Sequence, residues 1–217
     1  MHPSISANEL LEEFEFLFAK YSQELRATTQ PYQLARLIEN YQGYEYRPQD
    51  VLVRETLMEH VGSLPMVATT FYPYIDDDDV DLGRALVMLA IHDIGELVTG
   101  DESTFTKKAD PNGFEQEAAL RLLHSSYHET YKDVEAKGSQ TAKFAKSIDK
   151  VTPDIFDYLT PAEVTIVRFR HFVGMERDEI VGTIIDSKRP YMLWNPFMTE
   201  FHELLCDRLA TKLTATS

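Results

Sequence analysis

His92 and Asp93 stand side by side at the end of the most apolar helical pattern in the chain, the stripe of Leu82, Ala85, Leu86 and Leu89. Ionisable neighbours at the foot of a buried stripe need a partner, because an unpaired buried polar group costs on the order of several kcal/mol. A divalent cation would supply one. Glu96 follows three and four residues later, which puts it on the same helical face one turn on. His60 lies in a separate helical run, residues 56–71, and Asp149 falls on the apolar side of a third, between Ala145 and Val151. Three segments thus each bring a ligand type. Two imidazoles and two carboxylates suit a borderline divalent ion with positions left for water and substrate. Such an ion lowers the pKa of water and polarises a phosphoryl oxygen. Spacing along the chain does not by itself bring the three segments together.

The other reactive side chains read as structural. His124 and His128 form an i, i+4 pair that flanks the stripe Leu120, Leu123, Tyr127, as a solvated helix face would. His171 reads as a surface or interface residue, His202 as part of the core, and Trp194 as a packing anchor. Cys206 is the single cysteine, so no disulfide framework or cysteine-based zinc site is available, and its apolar helical setting makes it a small core residue. The acid run Asp76 to Asp79 lacks the spacing of a calcium loop and reads as a solvated turn before a helix capped by Asp81.

The elements that must position these residues are helical. Leu10, Leu11, Phe14, Leu17, Phe18, Tyr21 and Leu25 recur at three and four residues, and Leu34, Leu37, Ile38 and Tyr41 continue the pattern over residues 33–41. Gly62 and Pro65 are expected to bend the helix that carries His60. A polar loop over 100–113 precedes one helix over 114–134. The helix from Ser139 is expected to stop near Pro153, with Thr152 as a new cap, and Thr160, Pro161 and Glu163 make a further start signal. Phe197, Phe201, Leu204, Leu205 and Leu209 mark the last helix. No alternating run is long enough for a sheet, so the expected fold is all-α, a single domain over 1–217.

With 217 residues and 43% hydrophobic content, the chain can bury a core of its own. Its 36 acidic against 21 basic residues leave a net charge of -15, which disfavours a nucleic-acid polymer or an anionic membrane surface as partner. The first residues carry acids through their apolar stretch and no basic leader, unlike a signal peptide, and no apolar run could span a bilayer. The expected location is cytoplasmic.

The order H…HD…D over helical sequence resembles the HD-domain metal-dependent phosphohydrolases. The block from His92 to Lys107, HDIGELVTGDESTFTK, is most similar to the bacterial 5'-deoxynucleotidase branch and its eukaryotic HD-domain relatives. Glu59-His60 is similar to that branch's E-H, and the stretch from Lys143 to Asp149 to its K-x-x-D pattern. The resemblance implies an HD-type helical bundle with its core at about 54–158, an N-terminal helical extension over 1–53 and C-terminal helices over 159–213. It implies that His60, His92, Asp93 and Asp149 hold one divalent metal ion (Mn, Co, Fe, Ni, Mg or Zn) and that Glu96 is the general acid/base. Asp101 would orient Glu96, while Thr104 and Lys107 would meet the substrate. Where the branch has an Arg-Trp pair ahead of the first histidine, this chain has Tyr46-Arg47-Pro48, which makes Arg47 a substrate-side candidate, and Val61 replaces the usual serine.

The implied activity is hydrolysis of a (deoxy)nucleoside 5'-monophosphate or similar small phosphomonoester by a homodimer. Nucleoside triphosphate or pyrophosphate hydrolysis, and a non-catalytic metal-containing helical regulator, are the alternatives. Leu97 directly after Glu96 disfavours the alarmone-hydrolase pattern, which carries a second acid there.

Overall fold

Side chains recurring at three and four residues wind into helices throughout the computed structural model, which describes residues 7–26, 28, 29, 31, 52–100 and 113–215. In order these are α1 (Ala7–Gln23), α2 (Leu57–Phe71), α3 (Leu82–Ile91), the short α4 (Glu96–Thr99) and α5 (Phe114–Leu122). After them come α6 (His128–Ala136), α7 (Gln140–Leu159), α8 (Ala162–Arg168), α9 (Ile180–Lys188) and α10 (Pro196–Ala215). The fold is all-α. Among the described residues the extended pairing is the isolated antiparallel bridge between Leu25 and Thr56. No helix among them is long and apolar enough to cross a membrane. The expected helix over 33–41 lies outside the described residues.

The centre of the bundle is α7. Phe144, Ala145, Ile148 and Val151 pack against Leu64 and Ala68 of α2, Ala85, Met88 and Leu89 of α3, and Met198 and Leu205 of α10. Each large apolar side chain buried there stabilises the fold by about 1.5–3 kcal/mol. A second cluster joins Tyr21, Leu57, Ile94, Leu97, Ala119, Leu123 and Tyr131, and so ties α1 to the far side of α2.

Caps set where the helices begin. Thr56 and Glu59 form a reciprocal capping box at the head of α2, the Glu59 amide donating to Thr56 Oγ1 (3.2 Å) and the Thr56 amide to Glu59 Oε2 (2.8 Å). Asp81 caps α3 as expected, accepting from the Arg84 amide at 2.9 Å. Ser139 caps α7 by accepting from the Ala142 amide at 3.0 Å.

Three boundaries differ from the sequence expectation, each for a local reason. The segment over 114–134 is two helices, because Leu123 turns extended and the His124 ring accepts the Ser126 amide at 3.3 Å, closing a short turn before α6. Pro153 does not interrupt α7. It donates no bond to the Asp149 carbonyl, but Val151, Thr152, Asp154 and Phe156 around it stay buried, and that packing carries the helix through. The Thr152 hydroxyl therefore donates to the Ile148 carbonyl (2.7 Å) inside α7 and starts no new helix. Thr160 likewise closes α7, donating to the Phe156 carbonyl at 2.8 Å, and Pro161 precedes α8. Gly62 and Pro65 lie inside an unbroken α2.

The C-terminal half of α7 is held by buried ion pairs. Asp154 pairs with Lys188 of α9, and Asp157 with Arg168 of α8, all four side chains nearly inaccessible. Removing one partner from such a pair leaves an uncompensated buried charge and costs about 3–5 kcal/mol. Lys188→Met is expected to lower unfolding stability by that amount in a urea titration, and adding Asp154→Leu should recover most of the loss.

Candidate metal centre

The capping box of α2 places His60 in its first turn, fully buried and facing α7. His92 closes α3, and its ring Nδ1 donates to the Leu89 carbonyl at 2.9 Å, which fixes the tautomer and turns Nε2 inward. Asp93 lies in the turn over 92–95, and Asp149 comes from the middle of α7.

Three separate elements thus converge. His60 Nε2 lies 3.2 Å from Asp149 Oδ1 and 3.6 Å from Asp93 Oδ2. His92 Nε2 lies 3.0 Å from Asp93 Oδ1 and 3.3 Å from Asp149 Oδ1. One ligand atom from each of the four residues falls within 4.8 Å of all the others. Despite its two close carboxylates, buried His92 Nε2 makes no hydrogen bond of acceptable angle. Two nitrogen and two carboxylate donors aimed at one point, with that nitrogen left over, fit a divalent ion.

The electrostatics agree. Burial, with Arg26 nearby, lowers His60 to about 4, so its ring is neutral near pH 7. Burial pulls His92 the same way, but the Asp93 and Asp149 carboxylates outweigh it and raise the imidazole to about 10. Burial also opposes ionisation of the two acids. His92 and Arg26 nevertheless hold Asp93 below the usual carboxylate range, and Lys150, 2.9 Å from Asp149 Oδ2, does so with His92 for Asp149.

Glu96 is buried at the rim of this cluster, but not on a continuation of the His92 helix. The chain turns over 92–95, and Glu96 starts α4, its amide donating to the Asp93 carbonyl at 3.0 Å. Gly95 permits this: a Cβ there would come within 2.4 Å of the Glu115 carbonyl oxygen, so only glycine lets α5 press against the turn.

Two residues from the N-terminal region join the site unannounced by sequence. Arg26 Nη1 donates to Asp93 Oδ2 at 2.9 Å and reaches Glu96 Oε2 at 3.4 Å, while its Nε lies 4.0 Å from the fully buried Glu55. The Tyr21 hydroxyl is held well above its usual pKa by burial and by the charges of Asp93 and Glu96. Neither sits in a motif, and the pairing of Leu25 with Thr56 that delivers Arg26 joins segments about thirty residues apart. Asp101, Thr104, Lys107 and Arg47 lie outside the described residues.

The remaining side chains are structural. His128 Nε2 donates to the Leu123 carbonyl at 3.0 Å, away from the cluster. His202 is buried 3.7 Å from Cys206 Sγ, and burial raises that thiol to about 12. Trp194 anchors its loop by donating to Ser147 Oγ at 2.7 Å.

A helical bundle with an H…HD…D ligand set at its centre defines the class of protein. The family model described as HD domain matches residues 46–164, and the chain belongs to the HD-domain family. Among solved structures it is similar to a predicted metal-dependent phosphohydrolase from Magnetospirillum magnetotacticum MS-1, with 23% identity and a TM-score of 0.63 over 94% of this chain and 96% of that one. That likeness is one of fold. No curated protein matches the chain.

Metal-stripped protein is expected to take up one divalent ion and to gain about 2.7 kcal/mol of stability at roughly a hundred times the dissociation constant. Because His92 holds a proton in the ion-free site near pH 7, uptake should release it. Calorimetry in buffers of different ionisation enthalpy reads that proton directly, and affinity should fall as pH is lowered. His60→Ala and Asp149→Ala should each abolish tight binding.

Proposed function

We propose that the protein is a metal-dependent phosphohydrolase that releases orthophosphate from a (deoxy)nucleoside 5'-monophosphate or a similar small phosphomonoester. The observation that carries this reading is a further acidic side chain, Glu96, beside a four-residue donor set. Glu96 shares Arg26 with the ligand Asp93, yet is not among the four clustered donors. A structural metal plug needs ligands but no such extra carboxylate.

A divalent ion (Mn, Co, Fe, Ni, Mg or Zn) held by His60, His92, Asp93 and Asp149 would supply Lewis acidity toward a phosphoryl oxygen and toward water. Glu96 accepts the proton of the water that attacks phosphorus and returns it to the leaving oxygen as the P–O bond to the alcohol breaks. Asp101 would orient Glu96, and Arg47, Thr104 and Lys107 would meet the substrate, as the resemblance implies. Leu97 is buried among Ile94, Ala119 and Leu123, so the position after Glu96 offers no second acid, which favours monophosphate over triphosphate or pyrophosphate cleavage. The reading includes a homodimer, for which Leu11, Phe14 and Phe18, each about half exposed on α1, offer an apolar surface.

Phosphate release from ribo- and deoxynucleoside mono- and triphosphates, with each metal added to stripped protein, tests the reading. Glu96→Ala is expected to lower kcat by about 10²–10⁴-fold with the metal content unchanged. Pyrophosphate as the product, or full activity in Glu96→Ala, would overturn it.

A further inference from the structure

We propose that a cavity at the end of α2 away from the metal centre binds a small quaternary-ammonium cation among aromatic rings. The inference stands apart from the phosphohydrolase reading. The cavity, about 280 Å³, lies where α2, the turn Tyr72–Tyr74, α7 and α10 meet. Its walls include Met66, Phe71, Tyr74, Ile155, Phe197 and Phe201. Met66 and Phe71 follow His60 by six and eleven residues, which sets this lining about 9–16 Å further along α2.

Shape comes first. Phe71 is buried, and its ring stands edge-on to those of Phe201 and Phe197, with centroids 4.7 and 6.3 Å away at interplanar angles of 79° and 71°. Tyr74 stacks on Phe197 at 5.2 Å and 16°. The four rings thus form one contiguous group with planes in two nearly perpendicular orientations. Met66 and Tyr74 are 66% and 61% exposed, so the cavity opens to solvent on their side. Its volume suits a small molecule, whereas a helix about 10–12 Å across would not enter it.

Charge comes second. No lysine or arginine lies between Arg54 and Arg84, or between Arg189 and Arg208, and these two stretches supply every lining residue but Ile155. They do carry acids, Asp76 to Asp79 directly after Tyr74, and Glu200 three residues after Phe197 on the same helical face. Asp76, Asp78 and Glu200 are exposed and enter no ion pair among the described residues. Their field repels anions and draws in cations, and the face of an aromatic ring attracts a cation within about 6 Å of its centre.

Third, the walls suit a cation that carries no N–H groups. No carboxylate lines the cavity, and the Thr70 hydroxyl in its wall already donates to the Met66 carbonyl at 2.8 Å. Apart from the Tyr74 hydroxyl, the remaining wall side chains end in carbon or a thioether. A primary ammonium or a guanidinium enclosed there would leave its donors without acceptors. A quaternary ammonium has none to satisfy, presents methyl groups to the rings and keeps its charge for them. A lipid headgroup of this kind brings a phosphate beside the ammonium, which the acids next to Tyr74 and Phe197 oppose. The ligand is therefore a free ammonium compound of net positive charge.

The test is an NMR titration of choline into the full chain, read from the shift of its methyl protons and from saturation transfer. Neohexyl alcohol, its uncharged carbon isostere, and glycine betaine, its zwitterionic counterpart, run beside it. Choline is expected to bind about 5- to 30-fold more tightly than the alcohol, and more tightly than betaine. Its affinity should fall as salt is raised, and Glu200→Gln combined with Asp76→Asn should flatten that dependence. Tyr74→Leu changes an exposed side chain, so it should weaken choline binding by a similar factor with thermal unfolding and metal content unchanged. Equal affinity for choline and the alcohol overturns the inference and makes the cavity a site for uncharged apolar molecules. Choline binding that survives both Tyr74→Leu and Phe197→Leu overturns it by placing the cation elsewhere. So does the absence of binding by choline and tetramethylammonium at millimolar concentration; a change of sedimentation in Tyr74→Leu would then assign the face to a second copy of the chain.

Discussion

Keeping the charge of Asp149 in the middle of α7 is the constraint on which the rest of the structure depends. A carboxylate among Phe144, Ala145, Ile148 and Val151 is unfavourable unless paired, and its own helix supplies only part of that pairing. Lys150 supplies one contact at the helix edge, and the imidazoles of His60 and His92 supply the others. Apolar packing of α2, α3 and α7 would tolerate some sliding of one helix along another. The need to bring two ring nitrogens within about 3.5 Å of one carboxylate does not.

Helix ends, more than helix bodies, then decide what the site can do. α2 begins at a capping box, so His60 falls in a first turn whose orientation is set by Thr56 and Glu59. α3 stops at Ile91, and the turn that follows points His92 and Asp93 inward from successive residues. The same turn hands Glu96 to a new short helix beside Asp93, and Gly95 lets α5 close over it. Two of the four clustered donors and the neighbouring Glu96 carboxylate therefore come from five residues of chain.

Much of this was legible in the sequence, and the parts that were not have a common cause. The three- and four-residue recurrence of apolar side chains gives an all-α fold because it records burial of one helix face. His92-Asp93 stood out because adjacent ionisable groups at the end of such a face need partners. Asp149 was legible only as an acid on the wrong side of its helix. Arg26, Tyr21 and Glu55 gave no local signal, since their role arises from pairing across about thirty residues. The break between α5 and α6 depends on one side-chain bond from His124, and the passage of α7 through Pro153 depends on burial around it. Local propensity weighs neither. Residues 101–112, where the resemblance puts Asp101, Thr104 and Lys107, lie outside the described structure.

The two ends of α7 show how a functional charge cluster differs from a structural one. Towards its C-terminus, Asp154 and Asp157 are buried, and each meets a cationic side chain of the same fold, Lys188 and Arg168. There the acids are paired within the fold, although Asp154 Oδ2 keeps no hydrogen bond and has His202 Nε2 3.6 Å away. Around Asp149 and Asp93 two imidazoles face the carboxylates beside the cations; burial keeps one neutral, and a nitrogen of the other reaches two carboxylates without a well-formed hydrogen bond. The fixed cations, Arg26 and Lys150, stand at the periphery and leave the centre to donors. Both ends of α7 bury acids paired with cations, so what sets the Asp149 end apart is the pair of imidazole nitrogens converging on the same carboxylates, a donor set that fits a divalent ion and that the Asp154 and Asp157 pairs lack.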